Sequence, residues 1–222
     1  MRMNYQHIKL LVFDWDGTLA DSTSAIVEAM QSAIFELSYS NRSEEDIRNI
    51  IGLGLLEAVT TLYPELSDQE CTVLADKYRH CYISANRGKT RLFPGTREIL
   101  ETLKTLGYQL AIATGKSRKG LNNSLLDTGL ESFFHNTRCA DEVCSKPHPQ
   151  MLLEIMEEIY VKPEQTLMIG DSEYDLQMAA NASVRSVAVS YGTQNRERLL
   201  KYRPEICLDS MGELIPWLSN GR

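Results

Sequence analysis

Asp14-Trp15-Asp16-Gly17-Thr18-Leu19-Ala20-Asp21-Ser22 sets two carboxylates two residues apart at the end of an apolar run. In an extended chain, residues i and i+2 point to the same side, so Asp14 and Asp16 can face one pocket. Paired carboxylates in a pocket suit metal-assisted chemistry, although an acidic turn closed by a glycine has the same local look. Other strand ends decide between the two. Gly170-Asp171-Ser172-Glu173-Tyr174-Asp175 adds carboxylates after a second apolar run, Thr114 adds a hydroxyl after a third, and Ser145-Lys146-Pro147 adds a cation. Together these groups are hard to dismiss as one acidic turn.

The elements that must position these groups are legible in the hydrophobic pattern. Ile8–Phe13, Gln109–Ala113, Thr166–Ile169 and Val187–Val189 are short apolar runs, each followed by a polar turn, and read as buried strands. Between them, Thr96–Leu106 closed by Gly107, Ser117–Asp127 closed by Gly129, and Pro149–Tyr160 carry helical spacing. Alternating strands and helices from residue 92 onward predict parallel strands joined by crossover helices. The stretch Ser22–Arg87 differs, with apolar residues at helical spacing and no strand. Ala25-Ile26-Ala29-Met30-Ala33-Ile34-Leu37 and Cys71-Leu74-Ala75-Tyr78-Cys81-Tyr82 read as the stripes of a helical bundle core. The expected organisation is an α/β core of residues 1–20 and 91–222, interrupted by a helical insert of residues 21–90.

Composition narrows the function classes. The chain has 222 residues, 43% of them hydrophobic and 24% charged, as in ordinary soluble globular proteins. Its 23 basic and 30 acidic residues give a net charge of −7, and no basic run is present, which argues against a nucleic-acid partner. No apolar stretch approaches the roughly 18 residues of a membrane span, and a cytoplasmic location is the expectation. The five cysteines lack a CxxC pair, and the four histidines lack HxH or HExxH spacing, so neither a disulfide framework nor a transition-metal site is expected.

Taken together, the DxD pair, Thr114, Lys146 and the Gly170-Asp171…Asp175 run occur in the order of the four motifs of the haloacid dehalogenase superfamily, which this chain resembles over most of its length. Thr18, Leu19, Asp21 and Ser22 extend the first motif into the DGTLxDS form of the phosphoglycolate phosphatase-like branch. Leu92-Phe93-Pro94-Gly95, Ala113-Thr114-Gly115-Lys116, Lys146-Pro147 and Ile169-Gly170-Asp171 are similar to that branch as well. Two departures, Gln150 for a frequent acidic residue and Ala182-Ser183 for a usual glycine, do not touch the inferred chemistry.

The resemblance implies a doubly wound parallel sheet with the first strand central, between the Thr114 and Asp171 strands, under a small helical cap. It implies a Mg2+-dependent phosphatase of a small phosphorylated metabolite, working as a monomer or homodimer, with a phosphotransferase or sugar phosphomutase as the alternative. A phospho-accepting receiver module is a minor reading, because receivers lack the insert and the DxDGT run. Catalysis then falls to Asp14 as nucleophile, Asp16 as general acid and base, and Thr114 and Lys146 at the phosphoryl group. Mg2+ falls to Asp14, the backbone carbonyl of Asp16, and Asp171, with Asp175 behind them or ligating directly. Thr18 is expected to orient Asp16, and the N–H groups of Gly115 and Lys116 to meet phosphoryl oxygens. Glu173 is expected to be solvated or to cap a helix. Lys116, Ser117 and Arg118 either read a substrate carboxylate or form an exposed helix start. Gly52-Leu53-Gly54 is either the cap loop that dips into the site or a turn that needs glycine for its backbone.

Overall fold

The structure is a computed structural model that describes residues 7–86 and 88–220. Residues 1–6 and 221–222 of the expected core, and Arg87 of the expected insert, lie outside the described residues. Six parallel strands are hydrogen-bonded in the order β3-β2-β1-β4-β5-β6. They are β1 Leu10–Phe13, β2 Gln109–Thr114, β3 Asn136–Cys139, β4 Thr166–Gly170, β5 Arg185–Val189 and β6 Cys207–Leu208. β1 lies between β2 and β4, with Leu10 level with Gln109 on one side and Thr166 on the other. β3 and β6 were not expected: β3 is a polar edge strand in which only Cys139 is buried, and β6 has two residues.

Both faces of the sheet are covered, which is why its central strands are apolar without alternation. Leu11, Phe13, Ile112, Ile169, Val187 and Val189 pack on one side against residues of α5 (Thr96–Thr105), α6 (Arg118–Thr128) and α10 (Leu214–Asn220). Leu10, Val12, Ala111, Ala113 and Met168 pack on the other against α7 (Gln150–Ile159) and α8 (Glu173–Asn181). Helix α9 (Arg196–Leu200) buries Leu199 in a small cluster with Leu176, Ala188 and Cys207. Ser117 caps α6 by accepting from the N–H of Gly120, and Gly129 closes it in the left-handed conformation, as its sequence suggests.

Four helices lie between β1 and α5: α1 Thr23–Glu36, α2 Glu44–Asn49, α3 Leu55–Leu62 and α4 Asp68–Asn86. They close over a separate apolar cluster that includes Met30, Ala33, Ile34, Ile47, Val59, Leu62, Cys71, Leu74 and Ala75. The chain leaves the sheet region and re-enters it at one place. Ala20 bridges Leu92 in antiparallel fashion, and Asp21 N–H donates to the Arg91 carbonyl at 2.9 Å. The described residues contain no helix long and apolar enough to cross a membrane.

Candidate active site

The carboxyl ends of β1, β2 and β4 bring the expected residues to one place, the usual ligand position on an open α/β sheet. Asp14, Asp16, Thr114, Lys146, Asp171 and Asp175 are all buried there. Lys146 Nζ donates to Asp14 Oδ1 at 2.5 Å and to Asp175 Oδ1 at 2.6 Å. Asp175 also accepts at Oδ2 from the N–H and hydroxyl of Ser172, forming the capping box of α8. Both of its oxygens are therefore engaged by protein donors. Asp14 Oδ2 is buried and accepts no hydrogen bond.

Asp171 is held from two directions. Thr18 Oγ1 donates to Oδ1 at 2.8 Å, while the N–H and hydroxyl of Thr193 each donate to Oδ2 at 2.7 Å. Thr18 thus orients Asp171 and not Asp16, which corrects the sequence expectation. The reason is topological: the tight turn Asp14–Ala20 folds back so that its threonine faces the neighbouring β4 strand end. Thr193 was missed, although its position just beyond the β5 run is the same kind of strand-end signal that revealed the others.

Asp16 has other partners. Ser22 Oγ donates to Oδ1 at 2.6 Å, and Lys116 Nζ lies 3.0 and 3.1 Å from the two oxygens. The Lys116 ammonium also sits 5.1 Å from the centroid of the Tyr82 ring, a cation–π distance. Tyr82, expected in the bundle core, instead forms a wall of the site. The Lys116 N–H donates to Thr114 Oγ1 at 3.2 Å, so this donor faces the threonine and is not left open for a phosphoryl oxygen. Arg118 is turned away and pairs with Glu142 and Thr137. Glu173 is neither solvated nor the cap of its helix: it accepts from Arg198 and Tyr202.

The helical block touches the sheet at the expected loop. Gly52 adopts φ +109°, and a Cβ there would lie 2.8 Å from Ser172 Oγ; a Cβ on Gly115 would lie 2.3 Å from the Leu53 carbonyl oxygen. Gly52 thus needs its glycine, and the Gly52–Gly54 loop lines the cavity. Gly54 N–H donates to Ser145 Oγ at 2.6 Å, Tyr174 OH donates to the Asn49 carbonyl at 2.9 Å, and Arg198 bonds the Asn49 side chain. Between block and sheet lies a cavity of about 830 Å³, bounded by Asp14, Asp16, Thr114, Gly115 and Lys116 below and by the Gly52–Gly54 loop, Tyr78 and Tyr82 above.

Residues 11–189 match the model of a family described as haloacid dehalogenase-like hydrolase. The chain belongs to that family. This haloacid dehalogenase-like hydrolase is 31% identical over 221 residues to a phosphoglycolate phosphatase of Vibrio parahaemolyticus, covering 96% of this chain and 97% of that protein. It is 30% identical over 224 residues to the pyrophosphatase PpaX of Bacillus mycoides, again covering 96% and 97%. A crystal structure described as a haloacid dehalogenase-like hydrolase from Bacteroides fragilis superposes with a TM-score of 0.87 at 27% identity, covering 93% of this chain and 99% of that one.

The electrostatics of this hydrolase suit a divalent cation. Asp14, Asp171 and Asp175 each place a carboxylate oxygen within 4.8 Å of the others. Three carboxylates against the one ammonium of Lys146 leave two negative charges, the complement of a divalent ion, and an all-oxygen donor set favours a hard one. Burial, then the neighbouring Asp175 charge, pushes Asp171 up to about 6, against the donors from Thr193 and Thr18. Burial likewise lifts Asp14 well above the usual carboxylate range, although Lys146 opposes it. Carboxylates that resist ionisation when alone are those that gain most from a metal. Asp14 Oδ2, bonded to no protein donor, leaves this carboxylate with an oxygen for a further partner.

Proposed function

We propose that this hydrolase is a Mg2+-dependent phosphatase that removes the phosphoryl group of a small phosphorylated metabolite through an aspartyl phosphate on Asp14. The observation that carries the reading is the state of Asp14: buried, pinned at Oδ1 by Lys146, and free of donors at Oδ2. A carboxylate fixed by one oxygen and free of donors at the other, in the wall of a substrate-sized cavity, is a nucleophile that splits one difficult displacement into two easier ones. Lys146 both aligns Asp14 and offsets charge on the incoming phosphoryl group. The Thr114 hydroxyl, at the end of β2, is within the same cavity and bonds phosphoryl oxygens. Asp16 protonates the leaving oxygen and then takes a proton from water, with Ser22 and Lys116 fixing its carboxylate.

Asp14, Asp171 and the Asp16 backbone carbonyl, with Asp175 behind them, would hold Mg2+, which supplies the positive charge that lets a phosphate dianion approach a carboxylate. Thr18 and Thr193 hold Asp171 in the orientation this requires. Residues 21–90 act as a cap over the core of residues 1–20 and 91–222, closing the site from water. The phosphoglycolate phosphatase and pyrophosphatase relatives support phosphoryl-group hydrolysis as the reaction class.

The test is phosphate release from a panel of phosphorylated metabolites with Mg2+ and with chelator, alongside Asp14→Asn and Asp16→Asn. Release that needs Mg2+ and vanishes in Asp14→Asn is expected. After a single acid-quenched turnover of p-nitrophenyl phosphate, whose leaving group needs little protonation, Asp16→Asn should carry a phosphoryl group on the peptide containing Asp14. Undiminished release by Asp14→Asn would overturn the covalent route, and label passing to a sugar phosphate without phosphate release would mark a phosphotransferase.

A further inference from the structure

The cavity is larger and less polar than a two-carbon substrate requires. At about 830 Å³ it lies toward the upper end of small-molecule sites, roughly 300–1,000 Å³. Phosphoglycolate has nine non-hydrogen atoms; even at a full water's share of about 30 Å³ each it would fill only about a third of that space. Beyond the phosphoryl end Ile47, Ile50, Leu53, Tyr82, Ile83 and Leu126 line the space, with polar residues such as Asn86, Asn123 and Asp127 among them.

Cations decide whether a second anionic group could sit beside the phosphoryl group. Among the described residues that line the cavity, the cations are Lys116, Arg79 and Lys119. Lys116 is committed to both oxygens of Asp16 and to the face of Tyr82. Arg79 pairs with Asp76 at 2.5 Å in an exposed position, and Lys119 is exposed. None of these cations is both buried and unpaired, as the second anionic group of a two-carbon acid held beside the phosphoryl group would require. Two aromatic rings also line the cavity, Tyr78 and Tyr82, 5.9 Å apart between centroids and tilted by 34°.

Resting on the phosphatase reading above, we infer that the substrate is the phosphomonoester of a bulky, uncharged, ring-bearing alcohol, whose ring lies in the apolar space under the cap beside Tyr82. Hydrolysis releases that alcohol and inorganic phosphate. A ring in this space gains by leaving water, and an edge-to-face contact with Tyr82 adds a directional contribution.

The experiment compares kcat/KM of the full chain with Mg2+ for ethyl, benzyl and 2-naphthylmethyl phosphate and for 2-phosphoglycolate. The alkyl leaving groups differ little in intrinsic reactivity, so differences among them report the cavity. An increase of about 100-fold from ethyl to 2-naphthylmethyl phosphate is expected, with 2-phosphoglycolate below benzyl phosphate. Tyr82→Ala and Ile83→Trp should each lower the ratio of 2-naphthylmethyl to ethyl phosphate turnover by about tenfold, a ratio taken within one variant and so insensitive to the amount folded. Preference for 2-phosphoglycolate, or a flat series, overturns the inference while leaving the phosphatase reading intact. Failure to release phosphate from any of the four overturns the phosphatase reading itself.

Discussion

The ammonium of Lys146 lies 2.5 Å from Oδ1 of Asp14 and leaves Oδ2 of the same carboxylate without a protein donor. The cation thus holds one oxygen of this carboxylate and leaves the other bonded to no protein donor. Lys146→Met keeps the bulk and removes the charge, leaving Asp14 and Asp175 buried together without their shared partner. Breaking a buried pair in this way costs about 3–5 kcal/mol, so the urea midpoint should fall clearly. Turnover should fall to a similar degree for every phosphoester, since the cation acts on the phosphoryl group and not on what it is attached to. A normal urea midpoint would show that these ion pairs contribute nothing to the fold.

Thr18→Val removes the hydroxyl that donates to Asp171 Oδ1 with little change of shape. Losing such a partner of a metal-binding carboxylate typically weakens metal affinity about 10–100-fold. Titrating activity with Mg2+ should give a midpoint raised by at least about tenfold in Thr18→Val, and Thr193→Val should behave alike. An unmoved midpoint in both variants would remove Asp171 from the metal site.

Asp171, pushed up from its ordinary 3.8 to about 6, has a definite effect on stability. The metal-free folded state holds this proton more tightly than the unfolded chain, so its contribution is fully present below about pH 4 and is lost as pH rises through about 6. Chelated protein should therefore lose stability from pH 5 to pH 7 through Asp171, by on the order of 1 kcal/mol, a dependence that Asp171→Asn abolishes. Mg2+ competes with the proton, so stabilisation by Mg2+ should grow from pH 5 to pH 7. Melting curves of parent and Asp171→Asn with chelator and with Mg2+ check both signs; identical pH slopes in the two chelated proteins would contradict the assignment.

Gly115→Ala should act on the closure of the helical block. The added Cβ would stand 2.3 Å from the Leu53 carbonyl oxygen and 2.8 Å from that of Gly52, so the loop must lift away. Displacements of about 1 Å near a reacting group can cost about 100-fold in rate. A fall of that order in kcat/KM is expected, with the melting temperature close to the parent's because the sheet is untouched. If kcat/KM is unchanged, contact between the loop and Gly115 is irrelevant to turnover.

Most of this site can be read from the chain because β1, β2 and β4 are buried on both faces. Their runs are uninterrupted, and the first polar residues after them must lie at the strand ends. That rule finds Asp14, Thr114 and Asp171 by position alone. It fails for β3, Asn136-Thr137-Arg138-Cys139, since an edge strand keeps its polar side chains in water and loses the apolar signature. Nor does it foresee which partner a polar residue takes. Thr18 lies two residues from Asp16 but bonds Asp171, at a sequence separation of 153, because the turn directs its side chain across the sheet. Tyr82 fits the helical stripe of α4 as well as any core residue does, and only the approach of Lys116 from the sheet gives it another role.

The bridge between Ala20 and Leu92 makes the helical block exchangeable in principle. Because its two ends meet side by side, the sheet is indifferent to how many residues lie between them, and lengthening a closed loop adds little entropic cost. Another insert with adjacent termini could be grafted at this point without altering strand order or the Asp14–Lys146–Asp171 constellation. Lineages carrying this sheet would then acquire new substrates by replacing a roof, while the chemistry beneath is inherited unchanged.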